Sequence, residues 1–269
     1  GVFEEFVKNN NLRKISFESN DDKEILDSYI GGKLPEYVIK NLRSALEVYR
    51  KPLAVRSSSR LEDALHQPFA GVYSTFFLPN DHPDIEVRLS QLTRAIKCVY
   101  ASTYFQHAKA YIEATSNSIE EEQMAVVIQQ LIGLQHKEYF YPTVAGVARS
   151  FNFYPVGPMS PEEGIAAVAL GLGKTVAEGE RCLRFSPSHP KRIYQFADVG
   201  STLKTAQREF WALQMNKGDE LPLTTDYNLT KVGLEIAESH GQLKTIASTW
   251  DQANDRIWDG IGKDGGRLI

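Results

Sequence analysis

Apolar and polar positions along the first half of the chain alternate mainly at helical spacing. Val2 to about Asn9 reads as a short amphipathic helix, and Asp21 to Ile30 as a second one stopped by Gly31-Gly32. Pro35 opens a third, with Val38, Ile39, Leu42, Ala45, Leu46 and Tyr49 on one face and Lys51-Pro52 at its end. Leu53-Ala54-Val55 begins a strand, and a second strand is expected at Tyr73–Leu78. After the turn cluster Pro79-Asn80-Asp81-His82-Pro83, one long helix is predicted from Asp84 to about Ala114. Its broad apolar face carries Ile85, Leu89, Leu92, Ile96, Val99 and Tyr100.

The polar stretch Thr115 to Gln123 reads as a connector and divides the chain into two expected lobes, 1–120 and 121–269. Strand-like runs follow at Met124–Leu131, Thr143–Asn152, Ile165–Leu170 and Arg192–Ala197. Helices are predicted near Ala206–Asn216 and Leu229–Ser248, and Trp250 to Ile269 reads as loop-rich. Helices and strands are grouped rather than strictly alternating, so the predicted class is α+β, with a mixed sheet and C-terminal helices in the second lobe.

Composition narrows the function classes. With 42% hydrophobic and 24% charged residues the chain is an ordinary globular sequence, not a disordered one. Its net charge of −4 and lack of a basic block argue against a nucleic-acid partner. No apolar run reaches the roughly 18 residues of a membrane span. Cys98 and Cys182 fit no metal spacing; Cys98 falls in an apolar helical pattern as a buried thiol, and a cytoplasmic location is expected. The opening Gly1-Val2-Phe3-Glu4-Glu5-Phe6 reads as the middle of a helix, so a piece cut from a longer chain is expected.

Three segments carry candidate chemistry. In Val55-Arg56-Ser57-Ser58-Ser59-Arg60-Leu61-Glu62-Asp63 a strand delivers an arginine, three hydroxyls and two carboxylates. A guanidinium fork suits phosphate oxygens, although a solvated, self-capped turn has the same residue types. In Leu170-Gly171-Leu172-Gly173-Lys174-Thr175 an apolar strand runs into a small-residue loop ending in Lys-Thr. A P-loop would need a glycine where Val168 stands, so that motif is not matched. Gln129 is a polar group within the apolar run Ala125–Gly133, otherwise expected to be core strand. The histidines are scattered, and none is placed for a nucleophile's role.

Taken in order, these segments resemble the nucleotide-binding domain of the phosphoenolpyruvate synthase / pyruvate phosphate dikinase family. Val55-Arg56-Ser57-Ser58 with Glu62-Asp63 and Phe69-Ala70-Gly71 is similar to its V-R-S-S…E-D…F-A-G stretch. Val99-Tyr100-Ala101-Ser102, Val126–Ile132, Ala145-Gly146-Val147 and Gly171-Leu172-Gly173 resemble four further motifs, and the likeness covers roughly residues 50 to 200. The resemblance implies an ATP-grasp fold, two α+β lobes that sandwich ATP and Mg2+, here truncated at both ends. It also implies a multidomain enzyme in which ATP phosphorylates a histidine on a swivelling domain, and a pyruvate-binding barrel takes the phosphoryl group onward.

By that resemblance Arg56 contacts the ATP phosphates as the catalytic cation, with Ser57 and Ser58 beside it and Glu62 and Asp63 shaping the loop. Gln129 lies near the nucleotide, Gly171, Gly173, Lys174 and Thr175 near the phosphates or metal, and Arg184 (with Arg181 behind it) serves the phosphates. The sequence departs from the pattern at Lys174, where the family has glutamate, so no metal ligand is assigned. It departs again at Arg149-Ser150-Phe151. Two alternatives stay open: a related dikinase with another acceptor, such as glucan or an antibiotic, and a non-catalytic nucleotide-binding module. The fragment alone is expected to be inactive.

Overall fold

A computed structural model describes residues 1–59, 62, 71–114, 119, 122–218, 224–262 and 265–269. It is α+β and divides into two compact units, residues 1–131 with 215–228, and residues 132–214 with 229–269. No helix among the described residues is long and apolar enough to cross a membrane.

In the first unit four helices, α1 (Val2–Asn9), α2 (Arg13–Glu18), α3 (Asp22–Gly31) and α4 (Glu36–Val48), precede strand β1 (Leu53–Ser59). Strand β2 (Thr75–Leu78), helices α5 (Ile85–Ser102) and α6 (Gln106–Glu113), and strand β3 (Met124–Gln130) follow. Local chemistry sets the helix starts. The Asp21 carboxylate accepts from the Lys23 and Glu24 amides, and Asp84 caps α5 through the Glu86 amide. The three strands pair antiparallel in the order β2-β1-β3, and α5 packs across all of them.

The core beneath α5 is aromatic: Phe3, Phe6, Tyr29, Tyr100 and Tyr104 are buried with ring centroids 5.0 to 6.3 Å apart. This cluster explains why the predicted helix 84–114 is two helices. At the end of α5 the amides of Tyr104 and Phe105 bond three residues back, to Ala101 and Ser102. That tighter turn carries Tyr104 into the cluster and lets Phe105 start α6 in extended geometry. Cys98 is a buried free thiol, and burial pushes it up to about 11.

A buried polar node fixes where β1 begins. Arg88, on α5, is 1% exposed, and its Nη1 donates to the carbonyls of Leu46 and Tyr49 and to Asn80 Oδ1. Asn80 Nδ2 donates in turn to the carbonyls of Tyr49 and Lys51, both at 3.0 Å. The end of α4, the lead into β1 and the exit from β2 thus share one hydrogen-bonded centre. Asn80 holds φ +54°, a left-handed conformation that asparagine tolerates better than most residues.

The second unit is built on three antiparallel sheets. One has the order β10-β9-β5-β4, from β4 (Leu134–His136), β5 (Tyr139–Tyr141), β9 (Glu209–Gln214) and β10 (Leu229–Gly233). The next joins β6 (Ala145–Arg149), β7 (Ile165–Ala169) and β8 (Leu183–Phe185) in the order β6-β7-β8, and the last joins β11 (Ser248–Asp251), β12 (Arg256–Asp259) and β13 (Gly266–Leu268) in the order β12-β11-β13. Short helices α7 (Lys174–Ala177), α8 (Val199–Thr205) and α9 (Leu234–Ser239) complete it. Tyr141, Leu170, Phe210, Ala212, Leu234 and Leu243 lie in its core.

Several sequence expectations are corrected here. Every strand pairing among the described residues is antiparallel, where a mixed sheet was expected. The predicted helix 206–216 is strand β9, whose Phe210, Ala212 and Leu213 are buried. Residues 229–248 hold strand β10 and one short helix, and the stretch expected to be loop-rich carries the end of β11 and all of β12 and β13. Residues 192–197 hold a 3-10 turn rather than a strand. Nor is 125–133 core: β3 is an edge strand with Val127 and Ile128 about 40% exposed.

Asn80→Ala removes three side-chain hydrogen bonds and puts alanine in a left-handed conformation. The expected cost is about 3 kcal/mol of stability, read from urea unfolding. A loss below about 1 kcal/mol would show that the node does not hold the start of β1.

Candidate functional site

The register of the first sheet decides what the Arg/Ser segment presents. Along β1 the odd positions Leu53, Val55, Ser57 and Ser59 are buried, and Arg56 is exposed between them. Residues paired directly across strands share a face. Arg56 pairs with Thr75 on one side and Val127 on the other, and Ala54 pairs with Phe77 and Gln129. Arg56, Gln129 and Ser58 therefore stand on one face of the sheet, with Arg56 and Gln129 as diagonal neighbours. The Arg56 guanidinium makes no hydrogen bond or ion pair with a described residue.

Ser57 and Ser59 turn the other way and meet Glu62. The Glu62 carboxylate accepts from Ser57 Oγ at 2.8 Å and from the Ser59 amide at 2.9 Å, and the Glu62 amide donates back to Ser59 Oγ at 3.1 Å. This reciprocal clasp resembles a capping box and fixes the end of β1. Of the predicted residues, Arg56, Ser58 and Gln129 come together, whereas Ser57 and Glu62 are engaged with each other. Asp63, Phe69 and Ala70 lie outside the described residues.

In the second unit the Gly-rich loop leaves β7 under tight control. Gln207, 2% exposed, accepts from the Leu170 amide and donates to the Leu170 carbonyl, both at 2.9 Å. Gly171 has φ +89°, and a Cβ there would lie 2.7 Å from the Trp211 carbonyl and 2.8 Å from the Phe210 ring. Only glycine fits that turn. The Leu172 amide then donates to the Trp211 carbonyl at 2.8 Å. Gly173, by contrast, is exposed, with nothing near its Cβ position.

The loop's cation is held within a charged cluster around Trp211. Lys174 Nζ lies 5.1 Å from the centre of the indole and donates to Glu178 at 2.5 Å. Lys231, opposite Trp211 across the strands, sits 5.5 Å from the same ring and bonds Glu180 at 3.0 Å. Glu180 also accepts from Trp211 Nε1. Thr175 is buried, its hydroxyl turned away from solvent and without a hydrogen-bond partner. Arg184 is exposed on β8, and its amide is fixed by Gln195 Oε1 at 2.7 Å.

Sequence reasoning missed Gln207, Trp211, Glu180 and Lys231. Gln207 belongs to no local motif, and Trp211 lay in a segment read as helix. Among the described residues no three His, Cys, Asp or Glu side chains converge as metal ligands. Lys174 carries an ammonium and offers no metal ligand. The described residues thus assemble no all-protein cage for a cation.

Gly171→Ala and Gly173→Ala separate the two glycines. The first should lower the thermal unfolding midpoint strongly, because Cβ meets backbone and ring atoms, whereas the second should leave it nearly unchanged. Equal effects would contradict the close packing of Gly171 on β9.

With this geometry in hand, comparison with known proteins places the chain. Residues 2–235 match the family described as the AMP/ATP-binding domain of pyruvate phosphate dikinase. A stretch of 174 residues, 65% of the chain, is 28% identical to a protein described as the uncharacterized phosphotransferase YvkC of Bacillus subtilis (strain 168). That stretch spans 18% of the relative's length. The chain belongs to the pyruvate phosphate dikinase AMP/ATP-binding domain family.

Proposed function

We propose that the chain is the ATP-binding, phosphotransfer module of a multidomain enzyme with the ATP-grasp fold. In this reading ATP phosphorylates a histidine on a swivelling domain, and a pyruvate-binding barrel converts pyruvate to phosphoenolpyruvate. Family membership supports ATP as ligand, and the phosphotransferase relative supports group transfer. The observation that carries the reading to residues is the shared face of Arg56 and Gln129. A strand-mounted guanidinium with no partner among the described residues is poised to grip phosphate oxygens.

Phosphoryl transfer asks a protein mainly for positioning and charge stabilisation. Arg56 supplies two parallel donors for phosphate oxygens, and its contribution rises as charge develops on them. Gln129 offers an amide that both donates and accepts, and Ser58 a hydroxyl on the same face. In the second unit, Lys174 and Arg184 are the cations assigned to phosphate, with Gly171, Gly173 and Thr175 shaping the loop. Mg2+ belongs to this reading as the companion of the phosphates; no protein ligand is assigned to it. A cytoplasmic location accords with the two free thiols.

A second reading, nucleotide binding without transfer, is favoured by the engagement of Lys174 with Glu178. The two separate in the full-length parent protein. Arg56→Ala should lower ATP-dependent histidine phosphorylation by about 10²-fold or more while the protein still folds. Normal phosphorylation by that variant would remove Arg56 from the site. Lys174→Glu should change how ATP binding depends on magnesium concentration; an unchanged titration would show that this side chain does not face the ligand.

A further inference from the structure

We infer that Arg149 and Arg184 form a two-arginine clamp for an oligophosphate on one face of the β6-β7-β8 sheet. The inference rests on the reading of Arg184 as a phosphate contact and adds Arg149, which no family motif assigns. Register sets the face: Val147 pairs with Ala167, which pairs with Arg184, and Arg149 pairs with Ile165. Arg149, Arg184 and Val147 therefore project from the same side. The arginines stand two strands apart and two residues out of step, roughly 12 Å between Cα atoms from ordinary sheet spacings. Two extended arginines reaching inward over that span can meet on a chain of phosphates.

Three further observations favour an anion there. Both arginines are exposed, and neither guanidinium makes a hydrogen bond or ion pair with a described residue. The strand residues between them on that face are Val147, Ile165 and Ala167, with no carboxylate to neutralise them. Their backbones are also fixed. Gly164, at φ +73°, packs so closely that a Cβ would lie 2.3 Å from the Arg149 carbonyl, and Gly146 approaches the Ala167 carbonyl equally closely. Exposed guanidinium forks on a closely packed base are an arrangement that binds phosphate with geometric specificity.

Isothermal titration of the intact chain with inorganic tripolyphosphate, and separately with ATP, tests the clamp. The wild type should bind tripolyphosphate, and Arg149→Ala and Arg184→Ala should each weaken that binding about tenfold. Arg149→Lys should recover only part of the loss, because a point charge replaces a fork. Circular dichroism checks that each variant folds. Tripolyphosphate affinity within twofold of wild type in Arg149→Ala, or no binding by the wild type, overturns the clamp. Tripolyphosphate bound through both arginines without any ATP binding would support the clamp while defeating the nucleotide reading. Unaltered ATP and tripolyphosphate binding in both variants would do the reverse.

Discussion

The antiparallel pairing of β1 with β3 is the constraint on which the candidate site of the first unit depends. Side chains alternate along a strand with period two, so a slip of one residue exchanges the two faces. In the observed register Leu53 and Val55 enter the core, and Arg56 stands outside with Gln129 beside it. A slip would drive the guanidinium under α5 and bring valine to the surface, at a cost of several kcal/mol from the buried charge alone. Burial of the apolar side thus specifies the polar side. The two ends of β1 are locked independently, by the Asn80–Arg88 node before it and the Glu62 clasp after it. Arg56 is consequently an exposed side chain on a backbone held at both ends, which suits recognition of a phosphate oxygen.

The second unit reaches a comparable result by different means. Its Gly-rich loop is positioned from outside, by Gln207 at the end of β7 and by the Trp211 carbonyl beneath Gly171. Trp211 also gathers the cations, with Lys174 and Lys231 near its ring and Glu180 on its indole nitrogen. An anionic ligand drawn to Lys174 must compete with Glu178. Lys174 is therefore part of a local charge balance.

How much of this the sequence disclosed depends on whether the controlling interactions were local. Helices α1, α3 and α4 follow from amphipathic spacing and from caps such as Asp21 and Pro35, all within a few residues. Arg56 and Gln129 were legible as separate candidates, but their common face follows from a strand register spanning some seventy positions, which no local pattern carries. Elements fixed by tertiary partners were misread. Glu209–Gln214 has apolar residues whose helical and strand spacings both look plausible, and its pairing with β5 and β10 decides the matter. The break between α5 and α6 is set by Tyr104 joining rings from α1, α2 and α3. Gln207 acts through bonds to Leu170, 37 positions away, and has no sequence signature at all.

Family membership and the geometry of the first sheet meet in a single physical claim, that the guanidinium of residue 56 touches the phosphates of ATP. The most direct measurement is a crystal structure of the protein with a non-hydrolysable ATP analogue. The account predicts phosphate oxygens within hydrogen-bonding distance of the Arg56 guanidinium nitrogens, with Gln129 on the same side of the ligand. A bound nucleotide that leaves Arg56 turned to bulk solvent would contradict it.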